Sequence, residues 1–178
     1  MFSDPAENVK KFGLTEGARV ADFGTGTGAY ALALSQQVGH TGMVYAVEIQ
    51  KDLLERLSKE IKQARAGNIK IVWGDVDKLG GSTLRDSSLD AVLIANVLFQ
   101  SDAKYTLALE AKRVLQPGGR VIVIDWLGAG GQFSLPPERV VRAEEVKKIF
   151  AQAGFQFASE FPAGAQHYGL IFLKAKTT

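Results

Sequence analysis

An alternation of short β-branched or aromatic runs with helical repeats leaves few folds open to this sequence. The runs are ARVADF (18–23), MVYAVEI (43–49), IKIVWGD (69–75), LDAVLIAN (89–96), RVIVIDW (120–126), FQFASEF (155–161) and YGLIFLKA (168–175). Leu53, Leu54, Leu57, Ile61 and Ala64 make one helical stripe. Tyr105, Ala108, Leu109 and Leu115 make another, closed by QPGG at 116–119, and Val146, Ile149, Phe150 and Ala153 make a third, with Gly154 placed to stop it. Strands that alternate with helices pair in parallel under helices on both faces, which is an α/β doubly wound architecture. The near-continuous hydrophobicity of 89–96 and 120–126 fits strands buried on both sides. The end of the chain differs. EFPAGAQHYG joins the last two runs with too few residues for a crossover helix, so an antiparallel hairpin is expected there. The polar stretch DKLGGSTLRDSS (77–88) carries little helix. With neither an internal repeat nor a linker, residues 1–178 read as one domain, long enough to bury a sound core.

Composition removes several function classes. There are no cysteines and only two histidines, so disulfide scaffolds, thiolate chemistry and a His-rich metal site are not expected. The net charge is +2, and the basic residues around Lys59, Lys62 and Arg65 are interleaved with Glu55 and Glu60, as on a solvated helix face. A nucleic-acid partner is therefore not expected. MFSDPAENVKKFG lacks the apolar stretch of a signal peptide, no apolar run approaches a membrane span, and the expected location is the cytoplasm.

In an open parallel sheet, ligands sit beyond the carboxyl ends of the strands near the switch point. ADFGTGTGAY (21–30) occupies that place: strand one, a turn with glycines at 24, 26 and 28, then a helix from about Thr27. Its free N–H groups favour an anionic group such as a phosphate or carboxylate. Gly24, Gly26 and Ala29 satisfy the dinucleotide pattern G-x-G-x-x-A, whereas no Lys follows the glycines as a Walker loop needs. Glu48 ends the second strand 20 residues after Gly28 and suits a ribose diol in any adenosine ligand. Asp22 lies two residues before Gly24, where it would repel a pyrophosphate and attract the ammonium of a methionyl group. It could also be a structural residue that holds backbone N–H groups. Asp75 supplies a third acid, placed to accept from an adenine amino group. Three acids at neighbouring strand ends suit a cationic sulfonium ligand better than an anionic dinucleotide.

Taken together, VADFGTGTG, VYAVEI, WGDV, LDAVLIANVLF and LQPGGRVIVIDW resemble the class I S-adenosylmethionine-dependent methyltransferases, in order and spacing from about Asp4 to Ala175. Among these the chain is most similar to the small ubiquinone/menaquinone-biosynthesis type. The resemblance implies a seven-stranded Rossmann-like sheet of order 3-2-1-4-5-7-6 with strand seven antiparallel. It implies S-adenosylmethionine as cofactor and S-adenosylhomocysteine as product. Gly24, Thr25 and Gly26 then line the methionyl part, with Asp22 near its amino group. Glu48 holds the ribose hydroxyls, Ile49 packs on the adenine, Asp75 and Val76 meet the adenine edge, and Asn96 lies below the sulfonium, facing the substrate. Two departures concern the substrate side: Phe99 and Gln100 follow NVL where many quinone-type relatives place His, and the segment before strand one is short.

Methyl transfer from a sulfonium is an in-line displacement that orientation alone can accelerate strongly. No catalytic dyad is legible. Asn96 and His167 are the candidate catalytic residues, and Asp125 and Trp126, ending strand five, also stand on the substrate side. The loop GAGGQFSLPPERV (128–140) could close the site, and His40 reads as a turn residue at the other end of the sheet. The expected function is methyl transfer to a small-molecule acceptor. A nicotinamide-dependent oxidoreductase and a non-catalytic S-adenosylmethionine-binding regulator are the alternatives. The acceptor and the oligomeric state are not encoded legibly.

Overall fold

The computed structural model describes residues 3–128 and 136–176. Seven strands form one sheet of order β3-β2-β1-β4-β5-β7-β6: β1 (Arg19–Phe23), β2 (Met43–Glu48), β3 (Ile69–Trp73), β4 (Leu89–Ala95), β5 (Leu115–Trp126), β6 (Phe155–Pro162) and β7 (His167–Lys174). The first five pair in parallel, and β7 runs antiparallel to both β5 and β6. This is the order and direction the sequence leads one to expect.

Among the described residues five α-helices cover the sheet: α1 (Pro5–Val9), α2 (Ala29–Val38), α3 (Lys51–Ala64), α4 (Lys104–Val114) and α5 (Ala143–Gln152). Because successive strand residues point to opposite faces, the core divides in two. Val20, Leu93, Ile122, Ile124 and Ile171 pack with Tyr30, Leu34 and Leu57 under α1, α2 and α3. Phe23, Ile94, Val123, Leu170 and Phe172 pack with Leu107, Val114, Val146 and Phe150 under α4 and α5. The central strands β4 and β5 are buried on both faces, as their continuous hydrophobicity requires.

Several local expectations are corrected. The helix after the glycine turn starts at Ala29, not Thr27, because Gly24, Gly26 and Gly28 all hold positive φ, which an α-helix excludes. QPGG does not close α4 as a free turn. It bulges within β5, whose pairing with β4 jumps from Leu89↔Leu115 to Ala91↔Arg120. The buried side of α4 is Leu107, Ala108, Ala111 and Val114, while Tyr105 faces solvent. The short α1 was not legible as a pattern. Asp4 caps it, and Asn8 docks it by donating to the Ala163 carbonyl and the Tyr30 hydroxyl.

The helix-poor stretch 77–88 is held from α4. Glu110, fully buried, accepts from the backbone of Gly80 and Ser82 and pairs with Arg113 at 2.7 Å. Arg113 in turn donates to the Leu84 carbonyl and pairs with Asp86. Burial pushes the Glu110 carboxyl up, but the bonds from Arg113, Ser82 and Gly80 outweigh it and leave the group below its ordinary range.

Candidate functional site

The glycine turn is spaced by the protein itself as much as by any ligand. A β-carbon on Gly24 would lie 2.6 Å from Val97, and one on Gly28 would lie 2.1 Å from Leu57 of α3. At Gly26 nothing stands nearer than the Gly24 carbonyl at 4.0 Å. Of the three, only Gly26 has open space where a β-carbon would stand. The turn's N–H groups are also less free than its sequence suggests. Gly24 and Thr25 both donate to the Val47 carbonyl, Gly28 donates to the Thr25 carbonyl, and Gly26 donates to Glu48 at 3.0 Å. A cradle for a pyrophosphate needs such donors unoccupied.

Beside the turn, a cleft of about 360 Å³ opens at the carboxyl ends of β1, β2 and β3. Gly24, Gly26, Glu48, Ile49, Asp75 and Val76, all expected cofactor residues, line it. Glu48 is 6% exposed and rigidly held: one oxygen accepts from Gly26, the other from the backbone of Ile49 and Gln50 at 2.9 and 3.0 Å. A carboxylate offers about four acceptor sites, so one remains for a hydroxyl. Ile49 stands 50% exposed at the rim, an apolar surface suited to a planar ring. Asp75 bonds to the Asp77 backbone and pairs with Lys78 at 2.8 Å, and the Lys78 bond holds its carboxyl below the usual range. Its edge position comes from the 77–88 stretch, since the Asp75 N–H donates to the Gly81 carbonyl.

Asp22 and Thr25 lie outside the cleft lining. Asp22, 2% exposed, accepts from the Thr25 hydroxyl at 2.6 Å and holds no backbone N–H. Burial, aided by the charge on Glu48, raises its pKa to about 7 despite that bond. A buried carboxyl so little compensated by its own fold suits a site that receives a cation. Asn96 ends β4 in a left-handed conformation (φ 58°), its N–H given to Ile124 and its carbonyl bonded by Gln100. Its side-chain Oδ1 is buried without a protein partner.

Asp125, fully buried, is engaged by the backbone. Its carboxylate accepts from the backbone of Leu98 and Trp126, a brace for the segment after β4, with burial raising its pKa to about 6. His167 starts β7, 3% exposed, its ring 4.4 Å from that of Trp126, and burial lowers its pKa. His40 is exposed beside Glu16, at the opposite end of the sheet. Of the loop 128–140, residues 129–135 lie outside the described residues. Sequence reading missed Val97, Leu53 and Ser101 of the cleft: Val97 and Leu53 look like core positions, and Ser101 enters through its bond to Asp77 at 2.7 Å. A larger hollow of about 970 Å³ lies around Arg19, His40 and Arg65 at the strands' amino ends, where α2 and α3 terminate; no carboxylate lines it. Among the described residues no group of three His, Asp or Glu could hold a metal ion, and no helix is long and apolar enough to cross a membrane.

Residues 21–123 match the family model described as "Methyltransferase domain", and this span carries the glycine turn, the cleft and Asn96. The chain belongs to that family. It is 37% identical over 118 residues to the demethylmenaquinone methyltransferase of Staphylococcus aureus, a match covering 66% of this chain and 46% of that relative. The chain thus spans about half the length of such a relative. A methyltransferase of Aquifex aeolicus, described as SAM dependent, superposes with a TM-score of 0.88 at 29% identity, covering 96% of this chain and 89% of that one. The [4+2]-cyclase SpnF shares the fold at a TM-score of 0.82 and 15% identity, over 97% of this chain and 81% of that one. The class I methyltransferase resemblance therefore stands, and nothing supports a nicotinamide-dependent oxidoreductase.

Proposed function

We propose that the protein transfers a methyl group from S-adenosylmethionine to a small-molecule acceptor. The observation that carries this reading is the cleft, where the fixed Glu48 carboxylate, the exposed Ile49 and Asp75 stand in the order ribose, ring face and ring edge demand, beside the open side of Gly26. Glu48 fits the ribose, Gly26 the methionyl part and Asp22 its ammonium, and Asn96 faces the acceptor. Bound there, the cofactor supplies an activated methyl group on sulfur. The chain's own contribution is to hold the acceptor in line and exclude water, which suffices unless the attacking atom must lose a proton. The S. aureus relative's name makes a quinone-ring acceptor one to test, although Phe99 and Gln100 depart from that type.

Calorimetry with S-adenosylhomocysteine and with NAD tests the cofactor. S-adenosylhomocysteine should bind and NAD should not. Glu48→Ala should cost on the order of 2 kcal/mol of affinity as charge-assisted hydrogen bonds are lost. Equal binding by the wild type and the variant would sink the role of Glu48. Cofactor binding without any methyl transfer across a labelled-methyl metabolite screen would favour a regulatory binding module instead.

A further inference from the structure

Four buried side-chain atoms among the described residues have no protein hydrogen-bond partner: Asn96 Oδ1, Trp126 Nε1, His167 Nδ1 and His167 Nε2. All four belong to residues at the carboxyl ends of β4 and β5 or at the start of β7, which the antiparallel hairpin brings to the same edge. Trp126 and His167 are register partners across β5 and β7, and their rings lie 4.4 Å apart. Alternation along the strands puts both on the face of Ile122, Ile124 and Ile171, which is also the face of Asp22. Across that face the order is Asp22 on β1, Ala95 on β4, Trp126 on β5 and His167 on β7. On β4, Leu93 stands level with Asp22, and the half-buried Ala95 lies one step nearer the carboxyl edge, level with Ile124. The turn behind the pair is fixed, since Ala163 bonds His167 through its N–H while its carbonyl receives Asn8 of α1.

Polar atoms left this way inside a folded protein are costly, and well-packed domains hold few of them. That Asn96 and the Trp126–His167 pair share the condition at the carboxyl edge of the sheet, the edge that also carries the cleft, points to a ligand. The donor inventory then restricts it. Indole Nε1 only donates, Asn96 Oδ1 only accepts, and a neutral imidazole does one of each. The two buried carboxylates nearby are already engaged: Asp125 is spent on the Leu98 and Trp126 backbone, and Asp22, on the same face, is bonded to Thr25 and expected to meet the cofactor's ammonium. A charged ligand at this edge would be buried without a counter-charge.

We propose that Trp126, His167 and Asn96 form the acceptor subsite and that they select an uncharged acceptor presenting a hydroxyl, which takes a hydrogen bond from Trp126 Nε1 and returns one to His167 or Asn96. The proposal rests on the methyltransferase reading of the same site and adds the acceptor class and the role of Trp126. Burial holds the His167 imidazole in its neutral form, which keeps an acceptor nitrogen available.

Three probes with one ring and different charge test it: phenol, benzoate and benzylamine, titrated at neutral pH into the full chain saturated with S-adenosylhomocysteine. The readout is the Trp126 indole N–H resonance, told from that of Trp73 by Trp126→Phe. Phenol should move the Trp126 signal, and benzoate and benzylamine should bind at least about tenfold more weakly. Trp126→Phe and His167→Phe should each weaken phenol about tenfold, read for Trp126→Phe by ligand line broadening. Both variants keep a ring at each position, and because Trp126→Phe also gives up part of the indole packing on His167, ligand-free melts accompany the titrations to show that each variant is folded. Equal affinity for a charged probe, an unmoved Trp126 signal, or phenol binding indifferent to both substitutions would overturn the proposal. Calorimetry on the same samples separates the two readings. If S-adenosylhomocysteine binds and the probes behave wrongly, the acceptor subsite falls alone; if it does not bind, the methyltransferase reading falls and this proposal with it.

Discussion

Asp22→Asn tests whether the site is assembled at the expense of the ligand-free fold. The carboxyl of Asp22 is 2% exposed and has one hydrogen bond, from Thr25, with the Glu48 charge nearby. Its pKa stands at about 7 against an ordinary 3.8. The folded state therefore keeps the proton to higher pH than the unfolded chain does. Its stability is fullest below the unfolded pKa and is lost as pH rises from about 4 through about 7. Three pKa units at about 1.4 kcal/mol each make this loss on the order of 4 kcal/mol. Asparagine has nearly the same shape, can still accept from Thr25 and does not ionise. The ligand-free variant should melt higher than wild type at pH 8, by roughly 10 °C for a chain of this size, and the gap should close toward pH 5. Affinity should move the other way. Wild-type binding of S-adenosylhomocysteine should rise about tenfold per pH unit below 7 and level off above it, because the ammonium must meet an ionised Asp22. The variant should lose both the slope and at least tenfold in affinity at pH 8. Thermal melts at pH 5 to 8 and calorimetry across the same range measure both. A variant that melts at or below wild type at pH 8 would refute the argument.

The three glycines of the turn should separate by role. Gly28→Ala places a β-carbon 2.1 Å from Leu57 at positive φ and should cost about 2 kcal/mol or more of stability, read by denaturant titration, whereas Gly26→Ala should cost about 1 kcal/mol and act mainly on cofactor affinity. Glu110→Gln, which leaves Arg113 without its buried partner, should cost about 3 kcal/mol at pH 7. Because the Glu110 carboxyl is held below its ordinary range, wild-type stability from the pair is present above that range and lost as pH falls through it, so melts should converge in acid.

The architecture was legible in the sequence for a local reason. Strand and helix periods are written in neighbouring residues, and a short polar joint between two β-branched runs excludes a crossover helix, so β7 had to turn back against its neighbours. The acids at strand ends were legible too, because chain direction alone puts Glu48 and Asp75 at the carboxyl edge. What each residue does there was not. Three alternate glycines look equivalent in sequence, yet two make room for Val97 and Leu57, which lie 73 and 29 residues further on, and one has open space beside it. Asp125 and Trp126 are adjacent, yet strand alternation turns one carboxylate to the Leu98 backbone and the other ring to His167. Glu110 shows no motif at all, and its burial depends on the 77–88 stretch folding back across α4. Periodicity and chain direction were enough for the strands, the helices, the terminal hairpin and the ligand-binding edge, while the strand order followed from the family resemblance. Which polar atoms are satisfied, and which remain for a ligand, was decided by packing between segments far apart in the chain, because a hydrogen bond is filled only when the fold brings donor and acceptor within about 3 Å.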